Sequence, residues 1–266
     1  MVQEENKTNQ VEFLQVERTR KESTMESKNR EEEDRQNLWI FGDSYSYKWE
    51  LPAPYKDSGQ HDYTKYFFEL NGKFPTHFSD VLNKEYNFSQ IHNLAVRGAD
   101  NYTILEIVGK HINNIKPNDF VVVGWSEVSR YRLVWNERKT FFWYGMYPNT
   151  PDDEWKKINK SHPIHILNRD SSLPYKEIQN WQNILLKALP ENTIFWTPFW
   201  SDSMMKKELP FLNVNHLRNN GELTTINEET NGEQTDTHFG SNALESVGKW
   251  MITKFKDNIF RNERLI

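Results

Sequence analysis

The sequence predicts an α/β fold in which helices cover both faces of a mostly parallel sheet, which gives three layers, α/β/α. From Asn37 onward, short apolar runs alternate with stretches whose apolar residues recur every three or four positions. This alternation is typical of strands joined by crossover helices. The run Phe-Val-Val-Val at 120–123 is continuously apolar, as expected of a parallel strand that is buried on both faces.

Each element of this fold follows from its local pattern. The predicted strands are 38–41, 88–96, 120–123 and 193–196. The predicted helices are 77–86 with Thr76 as its cap, 101–115, 175–189, and a last one that begins near Ser241 or Asn242. Pro117 and Pro190 follow two of these helices, and because proline cannot continue a helix they set its end.

The composition excludes several classes of function. The chain has 266 residues with 33 Lys+Arg against 38 Asp+Glu, a formal net charge of -5. Because nucleic-acid binding depends on a basic surface, we expect no nucleic-acid partner. The chain has no cysteine, which excludes a disulfide scaffold and a thiolate nucleophile. No apolar run reaches about 18 residues and no signal-peptide pattern is present, so we expect a cytoplasmic protein without a membrane span.

The composition also predicts the division of the chain. Residues 1–36 contain ten acidic and seven basic side chains and few apolar ones, too few to offset the entropy of ordering the segment. We interpret them as a charged N-terminal arm that is either disordered or bound to a partner in a larger assembly. Residues 37–266 form the predicted domain, and its third strand is followed by an aromatic-rich insertion at 127–174.

The side chains that could take part in catalysis lie just after the predicted strands, at the end of the sheet where ligands bind in parallel α/β folds. Ser44 follows the first strand in a Gly-Asp-Ser sequence, and Asp236 and His238 lie just before the last helix. A serine hydroxyl becomes nucleophilic when a histidine accepts its proton and a carboxylate orients that histidine. The backbone N–H groups of Ser44 and Gly98 are candidate donors to the oxyanion that such a reaction forms.

These segments together resemble the SGNH, or GDSL-type, hydrolases. The resemblance covers roughly 37–266 and rests on Phe41-Gly42-Asp43-Ser44, Asn93-x-Ala95-x-x-Gly98, a strand that ends in Gly124, and Asp-x-His before the last helix. It implies a flavodoxin-like sheet and a Ser-His-Asp esterase mechanism. In that mechanism Ser44 is the nucleophile, His238 the general base and Asp236 the orienting acid, while the N–H groups of Ser44 and Gly98 stabilise the oxyanion.

Two positions depart from the pattern of that family. Its third block usually supplies an Asn as a further oxyanion donor, and here Ser126 occupies that place, so Ser126 is the expected third donor. The acid usually lies three residues before the histidine, whereas Asp236 lies two residues before His238. A change of one residue in the loop must therefore re-aim the carboxylate toward the imidazole.

The residues around the insertion suggest the kind of substrate. Aromatic rings stack on sugars and arginine binds anionic groups, so Trp125, Arg130 and Trp143 are the candidate substrate-binding residues. This mixture of rings and polar groups favours an O-acetylated carbohydrate over a lipid ester. No cofactor or metal is expected.

A second hypothesis belongs to another class, a structural or binding protein that keeps the fold with reduced catalysis. The replacement at Ser126, the position of Asp236 and the charged arm favour it. The segments 124–130 and 235–240 also resemble variants of this fold in bacteriophage proteins, in which case the arm would tether the domain to a virion or another partner. A Ser44 Oγ to His238 distance of roughly 2.6 to 3.2 Å would favour the hydrolase.

Overall fold

The structure is a computed structural model. The residues that it describes are 35–48, 59–126, 130–135, 138–143, 173–198, 212–213, 217, 219–232 and 238–257. The chain divides into two units, residues 1–36 and 37–266, and the predicted arm lies outside the described residues except for its last two positions. No helix in the described ranges is long and apolar enough to cross a membrane.

Strands and helices alternate along the second unit. The strands are β1 (Leu38–Phe41), β2 (Ile91–Asn93), β3 (Phe120–Gly124), β4 (Arg130–Trp135), β5 (Arg138–Trp143), β6 (Thr193–Thr197) and β7 (Leu212–Asn213). The helices are α1 (Gly59–Asn71), α2 (Phe78–Tyr86), α3 (Asn101–His111), α4 (Leu173–Ala188), α5 (Ile226–Glu229) and α6 (Ser241–Lys256). A short 3-10 turn, Ile112–Asn114, continues α3.

Five strands form one sheet in the order β2-β1-β3-β6-β7, and every pairing in it is parallel. Leu38 on the interior strand β1 pairs with Ile91 on one side and Phe120 on the other. Parallel neighbours need crossover connections, and helices supply them here. The α/β class predicted from the alternating pattern is therefore confirmed.

Alternate residues of the buried strands face two separate cores. One core contains Leu38 and Ile40 of β1 with apolar residues of α2 and α6, such as Leu82 and Val247. The other contains Trp39 and Phe41 with apolar residues of α3 and α4. Because both faces of β1 are covered by helices, the described part of the chain has the three layers that the sequence predicts.

The structure corrects several predicted bounds. Strand β2 covers three residues of the predicted 88–96, and the preceding helix is capped by His77 instead of Thr76. The His77 side chain accepts a hydrogen bond from the N–H of Ser79, and Asp80 bonds back to the cap residue. Helix α1 lies in a segment for which the sequence analysis predicts no element.

A buried carboxylate joins the amino ends of two strands, on the side of the sheet away from the candidate catalytic residues. Asp119, just before β3, accepts hydrogen bonds from the backbone N–H of Asn37 at 2.8 Å, the indole N–H of Trp39 at 2.8 Å and the N–H of Lys116 at 3.0 Å. A buried charge is tolerated only with partners of this kind. Asp119 therefore fixes the entry of β1 and β3 into the sheet.

Part of the aromatic insertion folds as an antiparallel hairpin. Strands β4 and β5 pair so that Arg130 lies opposite Trp143 and Trp135 lies opposite Arg138. The hairpin begins six residues after the end of β3, so it follows the edge of the sheet at which the candidate catalytic residues were predicted. The remainder of the aromatic-rich insertion, apart from the start of α4, lies outside the described residues.

Candidate active site

The site lies where the parallel strands end. Strand β1 ends at Phe41 and is followed by the turn 42–46, which is closed by a hydrogen bond from Ser46 N to Asp43 O at 3.0 Å. The segment after β2 is tied to this turn, because Val96 N donates to Gly42 O at 2.9 Å and the Asn93 amide donates to Ser46 O at 2.9 Å. The first two sequence blocks thus form one connected surface.

Ser44 and His238 are in direct contact. His238 Nε2 lies 2.7 Å from Ser44 Oγ, although the two residues are 194 positions apart in the chain. Ser44 is 6% exposed and His238 is half-buried, so the hydroxyl is sheltered while the pair borders solvent. The distance is that of the hydrogen bond through which a histidine accepts a serine proton.

The ring of Tyr45 packs against the histidine. The ring centroids of Tyr45 and His238 are 4.7 Å apart, and Tyr45 also meets the edge of Phe239 at 5.1 Å. Residue 45 directly follows the candidate nucleophile, so the same turn supplies the serine and one wall for the imidazole. This contact limits the tilt of the His238 ring.

The backbone from His238 to Gly240 is held by a segment that the sequence analysis did not assign. Ile226 N donates to His238 O at 2.8 Å, and Gly240 N donates to Thr224 O at 3.0 Å. This short antiparallel bridge pairs Thr225 with Phe239. It fixes the height of His238 above the end of the sheet.

Glu229 completes the attachment of this segment. Its carboxylate accepts from Ser241 N and Asn242 N, both at 3.0 Å, and from Thr224 Oγ1 at 2.6 Å. The cap residue of α6, Gly240, has no side chain to bond these N–H groups, so a carboxylate from α5 does so. A Cβ on Gly240 would overlap that carboxylate, which explains the glycine.

Backbone donors are available for a developing negative charge. Gly98 has φ 70°, a left-handed conformation that favours glycine, and it is exposed. Within the described residues, the N–H groups of Ser44 and Gly98 have no hydrogen-bond partner. Both belong to the connected surface of the first two blocks.

Ser126 takes part in a buried network. Its Oγ donates to Asp43 Oδ2 at 3.1 Å, and its backbone N–H and C=O bond to the side chain of Asn101 at 2.7 and 3.1 Å. The other oxygen of Asp43 accepts from Tyr45 N at 3.0 Å. The hydroxyl that was expected to serve the oxyanion is thus directed at a carboxylate.

The remaining predicted residues differ in their surroundings. Trp125 is 1% exposed, stacks on Phe195 and donates its indole N–H to Gln182 at 3.3 Å. This burial leaves no ring face for a substrate, so Trp125 is a core residue. Arg130 and Trp143 are register partners on the hairpin, and Asp236 lies outside the described residues.

A buried histidine lies against the backbone of the nucleophile turn. His77 contacts Ser79 Oγ through Nδ1 at 2.8 Å, and the backbone of Ser46 borders its ring. Burial lowers the pKa of His77 to about 3, and the nearby Asp80 carboxylate offsets only part of this effect. His77 is therefore neutral at physiological pH.

Comparisons with known proteins leave the chain without a family assignment. No family model matches it, and no curated protein matches it. Among the residues that the structure describes, no group of three or more His, Asp or Glu side chains is arranged to hold a metal ion. The geometry around Ser44 and His238 is therefore the main indication of function.

Proposed function

We propose that this protein is a serine-dependent ester hydrolase of the SGNH, or GDSL-type, class. The observation that carries the proposal is the 2.7 Å contact between His238 Nε2 and Ser44 Oγ at the carboxyl edge of a parallel sheet. The strand order supports it, because without the hairpin the order β2-β1-β3-β6-β7 reads 2-1-3-4-5, the order of flavodoxin-like sheets.

The reaction begins with proton transfer. As Ser44 Oγ attacks the ester carbonyl carbon, His238 accepts the hydroxyl proton, and the carbonyl oxygen becomes an oxyanion. The N–H groups of Ser44 and Gly98 donate to that oxyanion, and each such donor is typically worth about 100- to 1000-fold in rate. The protonated His238 then gives its proton to the departing alkoxide, which leaves the acyl group on Ser44.

Water completes the cycle. His238 removes a proton from a water molecule, which attacks the acyl carbon. His238 then returns that proton to the Ser44 oxygen as its bond to the acyl carbon breaks, which releases the carboxylic acid and restores both residues. By the resemblance to the family, Asp236 orients His238 through the second ring nitrogen. The rings and arginines of the insertion favour an acetylated carbohydrate as the substrate, with Arg130 and Trp143 on the hairpin as candidate contacts.

The test is hydrolysis of a short-chain aryl acetate and a panel of acetylated sugars. Ser44→Ala and His238→Ala should each lower kcat by several orders of magnitude. Ser89→Ala is the matched control, because Ser89 is exposed just before β2, at the opposite edge of the sheet, and should keep the wild-type rate. If Ser44→Ala is as active as the wild type, the proposal is wrong.

The alternative function, a structural or binding protein of a phage particle or another assembly, is favoured by one observation. The Ser126 hydroxyl, in the place of the family's third oxyanion donor, is directed at Asp43. A wild-type protein without turnover on any ester, whose binding to a partner is lost when residues 1–36 are deleted, would support this alternative.

A further inference from the structure

We propose that Ser126 is a positioning residue, which fixes the nucleophile turn through Asp43, and that it does not donate to the oxyanion. The inference rests on the proposed function, since it assigns a role within that same site. It replaces the expectation that Ser126 serves as the third oxyanion donor.

The Ser126 side chain can donate only one hydrogen bond. A serine hydroxyl carries one proton, and a carboxylate accepts but cannot donate. The 3.1 Å contact between Ser126 Oγ and Asp43 Oδ2 therefore uses the only proton that Ser126 could offer to an oxyanion. Ser126 is 2% exposed, so water does not replace it on the carboxylate.

The side chain of Asn101 holds the backbone of Ser126 in place. Asn101, at the start of α3, accepts from Ser126 N at 2.7 Å and donates to Ser126 O at 3.1 Å. This pair of bonds holds the backbone of residue 126 from both sides. Reorientation toward a substrate would have to come from the side chain alone, at the expense of its bond to Asp43.

Asp43 connects Ser126 to the turn that carries Ser44. This carboxylate is 1% exposed, and its two oxygens divide their roles, since Oδ1 accepts from Tyr45 N and Oδ2 accepts from Ser126 Oγ. Tyr45 directly follows the nucleophile and Ser126 lies just after β3, so the carboxylate links the end of β3 to the turn that carries the nucleophile. Loss of the Ser126 hydroxyl would remove one of the bonds that hold this turn and shift Ser44 relative to His238.

A double-mutant cycle separates the two roles. Ser126→Ala should lower kcat about tenfold or more with little change in KM, since a misplaced nucleophile reduces the rate. If Ser126 acts through Asp43, the same substitution should cost less than about threefold in the Asp43→Asn background. An oxyanion donor would cost the same factor in both backgrounds, and that result would overturn the proposal.

A second variant keeps the test decisive if Asp43→Asn does not fold. Ser126→Asn introduces the side chain that the family uses as an oxyanion donor. A positioning role predicts that kcat falls as it does in Ser126→Ala, because the larger amide replaces a hydroxyl that is 2% exposed and bonded to Asp43. A rate equal to or above that of the wild type would contradict the proposal.

The failure of this inference can be told apart from failure of the proposed function. If the wild type hydrolyses no ester, the proposed function fails by itself. The link between Ser126 and Asp43 is then measured by the same cycle on the midpoint of urea unfolding. Additive shifts would refute the link, and non-additive shifts would support it without reference to activity.

Discussion

Acid should destabilise this protein through one buried histidine. The pKa of His77 is lowered to about 3 in the folded state because the ring is buried, whereas an unfolded chain has the ordinary value of 6.5. Between these two values the unfolded state binds a proton that the folded state does not bind. The contribution of His77 to the free energy of unfolding is therefore fully present above about pH 6.5 and decreases as the pH drops toward 3.

The size of this effect follows from the two pKa values. Each pH unit below 6.5 removes about 1.4 kcal/mol from the free energy of unfolding, so at pH 5 the loss is about 2 kcal/mol. A folded-state pKa anywhere below about 4 gives the same figure at pH 5, since it depends on the unfolded value.

The assay compares the wild type with His77→Asn by urea unfolding at pH 7 and pH 5. Asparagine keeps an acceptor for the N–H of Ser79, to which His77 bonds at 3.2 Å, but it does not titrate. The wild type should lose about 2 kcal/mol more than the variant between the two pH values. His111→Asn, at a partly exposed histidine, is the matched control. Equal losses in the wild type and His77→Asn would refute the reasoning.

Three further substitutions test other parts of the structure. Gly240→Ala places a Cβ 2.5 Å from Glu229 Oε2. The overlap should displace the segment that carries His238 and lower kcat/KM about tenfold or more. Gly109→Ala, with open space around it, is the control and should not change the rate of ester hydrolysis. Asp119→Ala leaves buried N–H donors unpaired and should cost about 3 kcal/mol or more in urea unfolding; a loss below about 1 kcal/mol would contradict this role. Tyr45→Leu removes the ring that packs on the histidine and should reduce kcat about two- to tenfold, while Tyr45→Phe should stay close to the wild type; equal rates for both would argue against the contact.

The regular elements were predictable because their signals are local. The apolar runs at β1, β3 and β6 and the three- and four-residue spacing in α3 and α6 depend on neighbouring residues alone. Helix α1 was missed because its segment is polar at its start and follows a proline-bearing stretch. The cap at His77 was missed because serine and threonine are the usual caps, so the adjacent Thr76 was preferred.

The site was predictable in part. The positions of Ser44 and His238 after a strand and before a helix were enough to predict that they meet. The roles of Glu229 and Asp43 depend on contacts between distant segments, which no local pattern reveals. One signal was readable, since Thr225 and Glu228 have the spacing of a capping box and mark the start of α5 beside Glu229.

The separation between Ser44 and His238 has a consequence for the order of events during synthesis. The two residues are 194 positions apart, so at typical translation speeds the histidine emerges roughly 10 to 40 s after the serine. In the proposed mechanism, Ser44 lacks its base His238 until α6 docks, so it is expected to be unreactive toward esters before that step. Covalent labelling of Ser44 by a phosphonate would therefore mark chains that have finished folding. The time at which labelling appears would report when α6 docks on the sheet.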